Sequence, residues 1–387
     1  MKRGIIHSGL STLILLSTAS ASDKPKRIWT ADLNSASEVQ KAGPVDENTH
    51  TFVTFVNQTH VAAALLFPLR VNGVWPERDE TQRSHLLILI LDAENGKVLH
   101  SRYWDDLKGE AASAHGFEVQ VANSGELIVM VGNELLRLSS ELEIRVQRTL
   151  PRTKEERNGL TYYDHWSLAA SPVGRSALLV HRDIDRGCEN HWISTDDLTD
   201  ESVNPTPHCG SSPIVMTKDS AVFNVVQPRR HRPPLMKQDR AGVLQPLCTS
   251  CDGAVFSAFG KDLLLLGTGH AASYAIIDLE GREICRGSHG FGADRILQTS
   301  GSSVANRVAF LYGSLRGSLF HSWRGSDKII VVDADKKNEV ASIHLSDKGT
   351  SIASEWKVFI TPRLALSPDG KELAVLREHV LELMAIP

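Results

Sequence analysis

The segment Leu366-Ser-Pro-Asp-Gly-Lys-Glu-Leu-Ala-Val375 decides the fold of this 387-residue chain. Pro368 fixes φ at the first turn position, the Asp369 side chain accepts hydrogen bonds within the turn, and Gly370 takes the positive φ that other residues resist. A short apolar strand follows at once. Two other segments repeat this order of small residue, polar residue, glycine and apolar strand: 122–129 and 170–179. The pattern predicts a hairpin that recurs along the chain.

A second unit recurs where apolar strands end. Each copy has an apolar strand end, an aspartate, a tight turn and a strand that restarts on a charged residue: 91–99, 277–284 and 332–340. This order is typical of β-hairpins. Apolar runs such as 86–91 are continuous rather than alternating, which indicates strands that are buried on both faces. The two units together predict an all-β protein.

The segment 366–375 resembles the repeat of tryptophan-aspartate-like β-propellers, a superfamily that includes the periplasmic propeller of the Tol system and the lactonase-like propellers. The resemblance implies the architecture and is silent on activity. The 366 residues after position 21 give about 52 per blade for seven blades, somewhat above the roughly 40–45 usual for such repeats. The alternative, two sandwich domains, is not favoured by the repeated turns. The predicted blades span 50–105, 115–150, 163–206, 212–247, 252–288, 294–346 and 356–387.

The last predicted blade has only three evident strands, at 363–366, 372–376 and 380–385. The segment 27–33 stands alone at the other end of the chain and is predicted to pair as the missing outer strand. The fold prediction is therefore a single β-propeller of seven four-stranded blades, closed by an N-terminal strand that joins the C-terminal blade.

The first 21 residues have the pattern of a signal peptide. A basic start, Met1-Lys2-Arg3, precedes a short apolar region at 5–16 and the small residues Ala19-Ser20-Ala21 of a cleavage site. The apolar region is too short to cross a hydrocarbon layer of about 30 Å. We therefore expect residues 1–21 to be removed, residues 22–387 to form the propeller domain, and the protein to be secreted or periplasmic.

The charge of the chain is nearly balanced, with 42 basic and 46 acidic residues. This balance gives no indication of binding to nucleic acid or to anionic lipid. No later stretch is long and apolar enough to predict a membrane span. We expect a monomer whose partner is a protein or a small ligand.

Five cysteines lie in the middle of the chain, and export would allow them to oxidise. A disulfide between Cys188 and Cys209 is the first interpretation; a zinc site formed by these thiols with His191 and His208 is the alternative. Cys248 and Cys251 have a spacing found in redox and zinc motifs, and structural pairing is favoured, with Cys285 as a further possible partner. The odd number leaves at least one thiol unpaired.

No motif in the sequence establishes catalysis. A Gly-x-Ser-x-Gly elbow is absent, and the histidines are scattered, with His165 and His270 placed where an inner strand or loop could face the propeller axis. The basic, proline-rich segment 227–234 is interpreted as a solvated excursion. The favoured hypothesis is a non-enzymatic exported platform with no cofactor and no metal. The alternative is a lactonase-like, metal-dependent hydrolase with a divalent metal in the central channel, and a cofactor-bearing dehydrogenase has less support.

Overall fold

The computed structural model describes most of the chain. The described residues are 24–46, 49–69, 83–108, 117–122, 125–151, 154–157, 160–163, 165–171, 176–183, 187–206, 214–224, 234–248, 251, 253–268, 273–288, 294–317, 322–324, 328–345 and 362–387. The predicted signal peptide lies outside them. Within them, no helix is long and apolar enough to cross a membrane.

The chain enters the fold through β1 (Lys26–Asp32), a 3-10 turn (Leu33–Ser35) and α1 (Ser37–Ala42). Three blades of four antiparallel strands follow. Blade 1 contains β2 (His50–Phe55), β3 (His60–Leu69), β4 (Arg83–Asp92) and β5 (Val98–Lys108). Blade 2 contains β6 (Phe117–Val121), β7 (Leu127–Val131), β8 (Glu134–Leu138) and β9 (Ile144–Thr149). After a two-stranded hairpin of β10 (Lys154–Arg157) and β11 (Leu160–Tyr163), blade 3 contains β12 (His165–Ala170), β13 (Ser176–Asp183), β14 (Gly187–Ser194) and β15 (Asp200–Thr206).

Four more blades complete the ring. Blade 4 contains β16 (Val215–Met216), β17 (Ser220–Asn224), β18 (Leu235–Asp239) and β19 (Leu244–Cys248). Blade 5 contains β20 (Ala254–Phe259), β21 (Leu263–Thr268), β22 (Ser273–Ile277) and β23 (Glu283–Ser288). Blade 6 contains β24 (Asp294–Gly301), β25 (Arg307–Gly317), β27 (Lys328–Asp333) and β28 (Asn338–His344), with β26 (Ser322–Arg324) paired to the end of β25. Blade 7 contains β29 (Arg363–Leu366), β30 (Glu372–Arg377) and β31 (Val380–Ala385), with β1 as its fourth strand.

The continuous apolar runs are explained by the stacking of blades. Each blade lies between two others, so both faces of its middle strands are covered; all five residues of β7 and all five of β17 are buried. Seven clusters of buried side chains result, one for each junction between neighbouring blades. The core is thus a ring of interblade layers rather than one central mass.

The predicted closure by the N-terminal strand is confirmed. β1 pairs antiparallel with β31, with Trp29 opposite Leu383. The indole nitrogen of Trp29 donates a hydrogen bond of 2.8 Å to the carbonyl of Ala93 in blade 1. Leu33, just after β1, is buried in the cluster between blades 7 and 1. The two ends of the chain are therefore joined without a covalent link.

All seven predicted blades are present, with boundaries that differ by only a few residues. Two additions were not predicted, the hairpin of β10 and β11 and the short strand β26. Both lie in connections between blade strands, and their sequences, KEER, LTYY and SWR, contain no apolar run long enough to indicate a strand.

Candidate functional site

The innermost strands of the seven blades line a central channel. Each of these strands contacts the innermost strands of both neighbouring blades, so the ring is continuous. The channel encloses about 640 Å³. Its polar lining consists of hydroxyl and amide side chains, including Thr54, Gln120, Ser257, Gln298 and Thr299, and none of the described lining residues is Asp, Glu, His or Cys. The described lining therefore offers no ligand set for a metal in the channel.

The connections between strands divide the ring into two unlike faces. In a four-stranded meander, the connections from first to second and from third to fourth strand lie at one end of the blade. We call this end the short-turn face, because none of its connections is longer than five residues. The remaining connections lie at the opposite end, the long-connection face. They include 70–82, 150–164 and 345–362.

A cluster of titratable side chains lies at the long-connection end of blade 3. His181 on β13 is opposite Glu189 on β14 in the strand register, and His191 follows two residues later on the same face of β14. The candidate ligand atoms of these three residues all lie within 4.8 Å of one another. Trp166 on β12 stacks on the His181 ring at a centroid distance of 4.1 Å and an interplanar angle of 8°.

His191 lies between two carboxylates. Its Nε2 atom is 3.5 Å from Glu189 Oε2, and its Nδ1 atom is 3.5 Å from Asp200 Oδ1. Arg148, from blade 2, donates two hydrogen bonds to the Asp200 carboxylate, of 3.0 and 2.7 Å. Burial lowers the pKa of His191, although Asp200 and Glu189 act in the opposite direction. The lowered pKa favours the neutral imidazole, the form in which histidine binds metals.

The cysteines are arranged differently from the predicted zinc alternative. Cys188 and His191 lie on opposite faces of β14, since they are three residues apart on a strand. Cys188 is itself disulfide-bonded, so it is not available as a zinc ligand. Its predicted partner Cys209 lies outside the described residues, as does His208. The two described members of the predicted zinc site, Cys188 and His191, are therefore not brought together as ligands.

The remaining cysteines include a disulfide-bonded pair just before blade 5. Cys248 and Cys251 form a disulfide with each other. Cys285 on β23 has a free thiol, so the interpretation in which it takes one of these two as a partner is wrong. Burial raises the pKa of the Cys285 thiol, and nearby Glu283 adds to the effect. The thiol is therefore protonated at neutral pH and a poor nucleophile.

Most of the cluster in blade 3 was not predicted from the sequence. His165 was a candidate, and its neighbour Trp166 belongs to the cluster. The other candidate, His270, lies outside the described residues. A signal for His181 and Glu189 was available, because a hairpin centred on position 185 places residues 181 and 189 opposite each other. The basic segment 227–234 also lies outside the described residues, except for its last residue.

Comparison with known proteins bears on the fold. No protein-family model matches the sequence, and no curated protein matches it significantly. A chain in the crystal structure of a mitotic checkpoint complex superposes with a TM-score of 0.50 and 13% identity, over 99% of this chain and 100% of that one. An uncharacterized protein of Listeria monocytogenes EGD-e superposes with a TM-score of 0.46 and 12% identity, over 86% and 90% of the two chains. The first of these likenesses supports the β-propeller fold and carries no information on activity.

Proposed function

We propose that this protein is an exported, non-enzymatic β-propeller that binds a protein or a small ligand on its long-connection face. The observation that carries the proposal is that every connection longer than five residues lies on this face. Surface loops on a rigid scaffold are where binding residues concentrate, whereas minimal turns leave few side chains for recognition. The long-connection face therefore has the greater capacity for a specific contact.

The channel also favours binding over catalysis. Its described lining is uncharged, with amide and hydroxyl groups among apolar side chains. Such a surface can hydrogen-bond a ligand, but it contains no described acid, base or thiolate for chemistry. The lactonase-like alternative would need carboxylate or imidazole ligands for a metal in the channel, and the described lining supplies neither.

Site-specific photocrosslinking in cells tests the proposal. A photoreactive amino acid is placed in the long connections at positions 77, 158 and 229, and for comparison in short turns at Glu94, Glu141 and Asp196. We expect discrete adducts of higher mass from the first set only. Adducts confined to the short-turn set would contradict the assignment of the face, and turnover of a lactone or ester panel by purified protein would contradict the non-enzymatic role.

Export is tested separately by the mature N-terminus. We expect the protein purified from its native compartment to begin at Ser22, because Ala19-Ser20-Ala21 fits the specificity of signal peptidase. Recovery of the chain from the cytoplasm with residues 1–21 still attached would contradict this part of the proposal.

A further inference from the structure

We propose that His181, Glu189 and His191 form a binding site for a divalent transition metal of the zinc class, at the boundary between blades 2 and 3. The three side chains share one face of the hairpin of β13 and β14, and their ligand atoms lie within 4.8 Å of one another. Two imidazoles with one carboxylate are a donor set that suits zinc, copper, iron or nickel, whereas calcium and magnesium prefer oxygen ligands.

The separation of His191 and Glu189 fits a shared ion better than a hydrogen bond. Their Nε2 and Oε2 atoms are 3.5 Å apart. Hydrogen bonds of this type measure about 2.7–3.2 Å. Two ligands at about 2.0–2.2 Å from a tetrahedral zinc lie roughly 3.3–3.5 Å apart. The Nε2 atom of His191 is buried and makes no hydrogen bond, so an ion at this position would satisfy an atom that is otherwise unsatisfied.

Asp200 and Arg148 have the positions of outer groups that support a metal ligand. Metal-binding histidines commonly donate their second ring N–H to a carboxylate, which fixes the tautomer and the ring orientation. The Nδ1 atom of His191 faces Asp200, and Arg148 holds that carboxylate through two hydrogen bonds. This arrangement leaves Nε2 of His191, on the Glu189 side, as the ligand atom.

The aromatic surroundings fix the rings before any ion binds. Trp166 stacks on His181 and meets His191 edge-on at a centroid distance of 5.1 Å. The Trp166 indole is itself held by a hydrogen bond of 2.9 Å to the carbonyl of Pro151. Glu189 is the exposed member, with 44% of its side chain accessible, so an ion can enter from its side. Three protein ligands leave a fourth position open for water or for a donor atom of a bound partner.

Cobalt(II) and zinc(II) titrations of the purified full chain, first treated with chelator, test the site. We expect one saturable equivalent of Co²⁺, with the visible absorption of a four- or five-coordinate ion, that Zn²⁺ displaces. His191→Ala and His181→Ala should each weaken Zn²⁺ binding by at least 100-fold. Asp200→Asn, which removes an outer carboxylate, should weaken it by about 10–100-fold. His344→Ala is the matched control, because His344 is exposed on β28 in another blade, and it should bind as the wild type does.

Glu189→Gln keeps the test decisive if a histidine variant fails to fold. The exposed position of Glu189 predicts a melting temperature close to that of the wild type without metal. Added Zn²⁺ should raise the melting temperature of the wild type and of His344→Ala but not that of Glu189→Gln. The proposal is overturned if the wild type binds no saturable equivalent, or if His191→Ala, Glu189→Gln and His344→Ala bind Zn²⁺ alike.

Discussion

Turns on the short-turn face form hydrogen bonds with the turns of the next blade, whereas the long-connection face contains every connection that is longer than five residues. The Lys218 amide of blade 4 donates to Asp262 of blade 5 at 2.9 Å, and the Gly260 amide of blade 5 donates to the Ser302 carbonyl of blade 6 at 2.7 Å. The Val304 amide of blade 6 donates to the Pro368 carbonyl of blade 7, and the Asp369 amide of blade 7 donates to the side-chain oxygen of Gln58 in blade 1. The described turns of the short-turn face thus contribute to the stability of the ring.

The two faces also differ in where their chemistry lies. Cys188, Cys248, His181 and Glu189 lie within three residues of the long-connection ends of their strands, Cys251 lies in the connection after β19, and His191 lies in the middle of β14. The short-turn face has instead a repeated aspartate or serine that accepts hydrogen bonds from its own turn, as Asp278 does from the Arg282 amide at 2.9 Å. The comparison predicts that substitutions on the short-turn face affect mainly stability and that substitutions on the long-connection face affect mainly binding.

The largest expected effect comes from removing the strand that closes the ring. Deleting residues 23–34 removes β1 and Leu33, and leaves the outer edge of β31 and the cluster between blades 7 and 1 exposed. The loss of one buried leucine alone costs about 2–5 kcal/mol, so the deletion should abolish the cooperative unfolding transition. Thermal melting followed by circular dichroism measures it. Leu33→Ala and the exposed Ile28→Ser form a matched pair, and equal melting temperatures for the two would contradict the closure.

Two glycines with positive φ allow a direct comparison of the faces. Gly260, in a short turn, has φ of 54°, and an added Cβ would lie 2.8 Å from the Ala305 carbonyl oxygen of the next blade. Gly187, at the long-connection end of β14, has φ of 94° and no heavy atom within 4 Å of that position. Gly260→Ala should cost about 2–4 kcal/mol, the sum of backbone strain and overpacking, and Gly187→Ala about 1 kcal/mol. Urea denaturation measures both, and a Gly187 variant that is the less stable of the two would reverse the assignment.

The structure of the short-turn face is predictable from the sequence, whereas the cluster in blade 3 is largely not. Residues of the short turns adopt conformations that the local sequence determines; Gly370, for example, has a φ of 71°. The number of blades, their boundaries and the closure of the ring can therefore be predicted from local sequence patterns. The imidazole cluster depends on strand register, which brings His181 opposite Glu189, and on packing between blades, which brings Arg148 to Asp200. The pairing of His181 with Glu189 follows once the turn is centred on position 185, but interblade packing is not encoded in a short motif, so the contact of Arg148 with Asp200 could not be found from spacing.

A smaller effect is expected at Asp369, in the turn that identified the fold. Burial alone would raise the pKa of this carboxyl, but hydrogen bonds from the Lys371 amide and the Ser367 hydroxyl lower it below its ordinary value. The carboxylate therefore stabilises the fold above the unfolded pKa of about 3.9, and this contribution is lost as the pH falls through the lowered folded pKa. Asp369→Asn should cost at most about 1 kcal/mol at pH 7, because the turn is screened by solvent, and less at pH 2 to 3. Urea midpoints at the two pH values test the sign, which is wrong if the cost grows on acidification.

We expect the smallest change in stability from a substitution on the long-connection face. This experiment distinguishes the roles of the two faces most clearly. Replacing Arg230 and Arg232 by serine removes two positive charges from the segment that the sequence predicts to be solvated. Surface substitutions of this kind usually change the free energy of unfolding by less than about 0.5 kcal/mol. If that face binds a partner, the same variant should lose photocrosslinked adducts at position 229 while its melting temperature stays that of the wild type. A melting temperature lowered as far as that of Gly260→Ala would mean that this connection stabilises the ring. The assignment of stability to the short-turn face and of binding to the long-connection face would then be wrong.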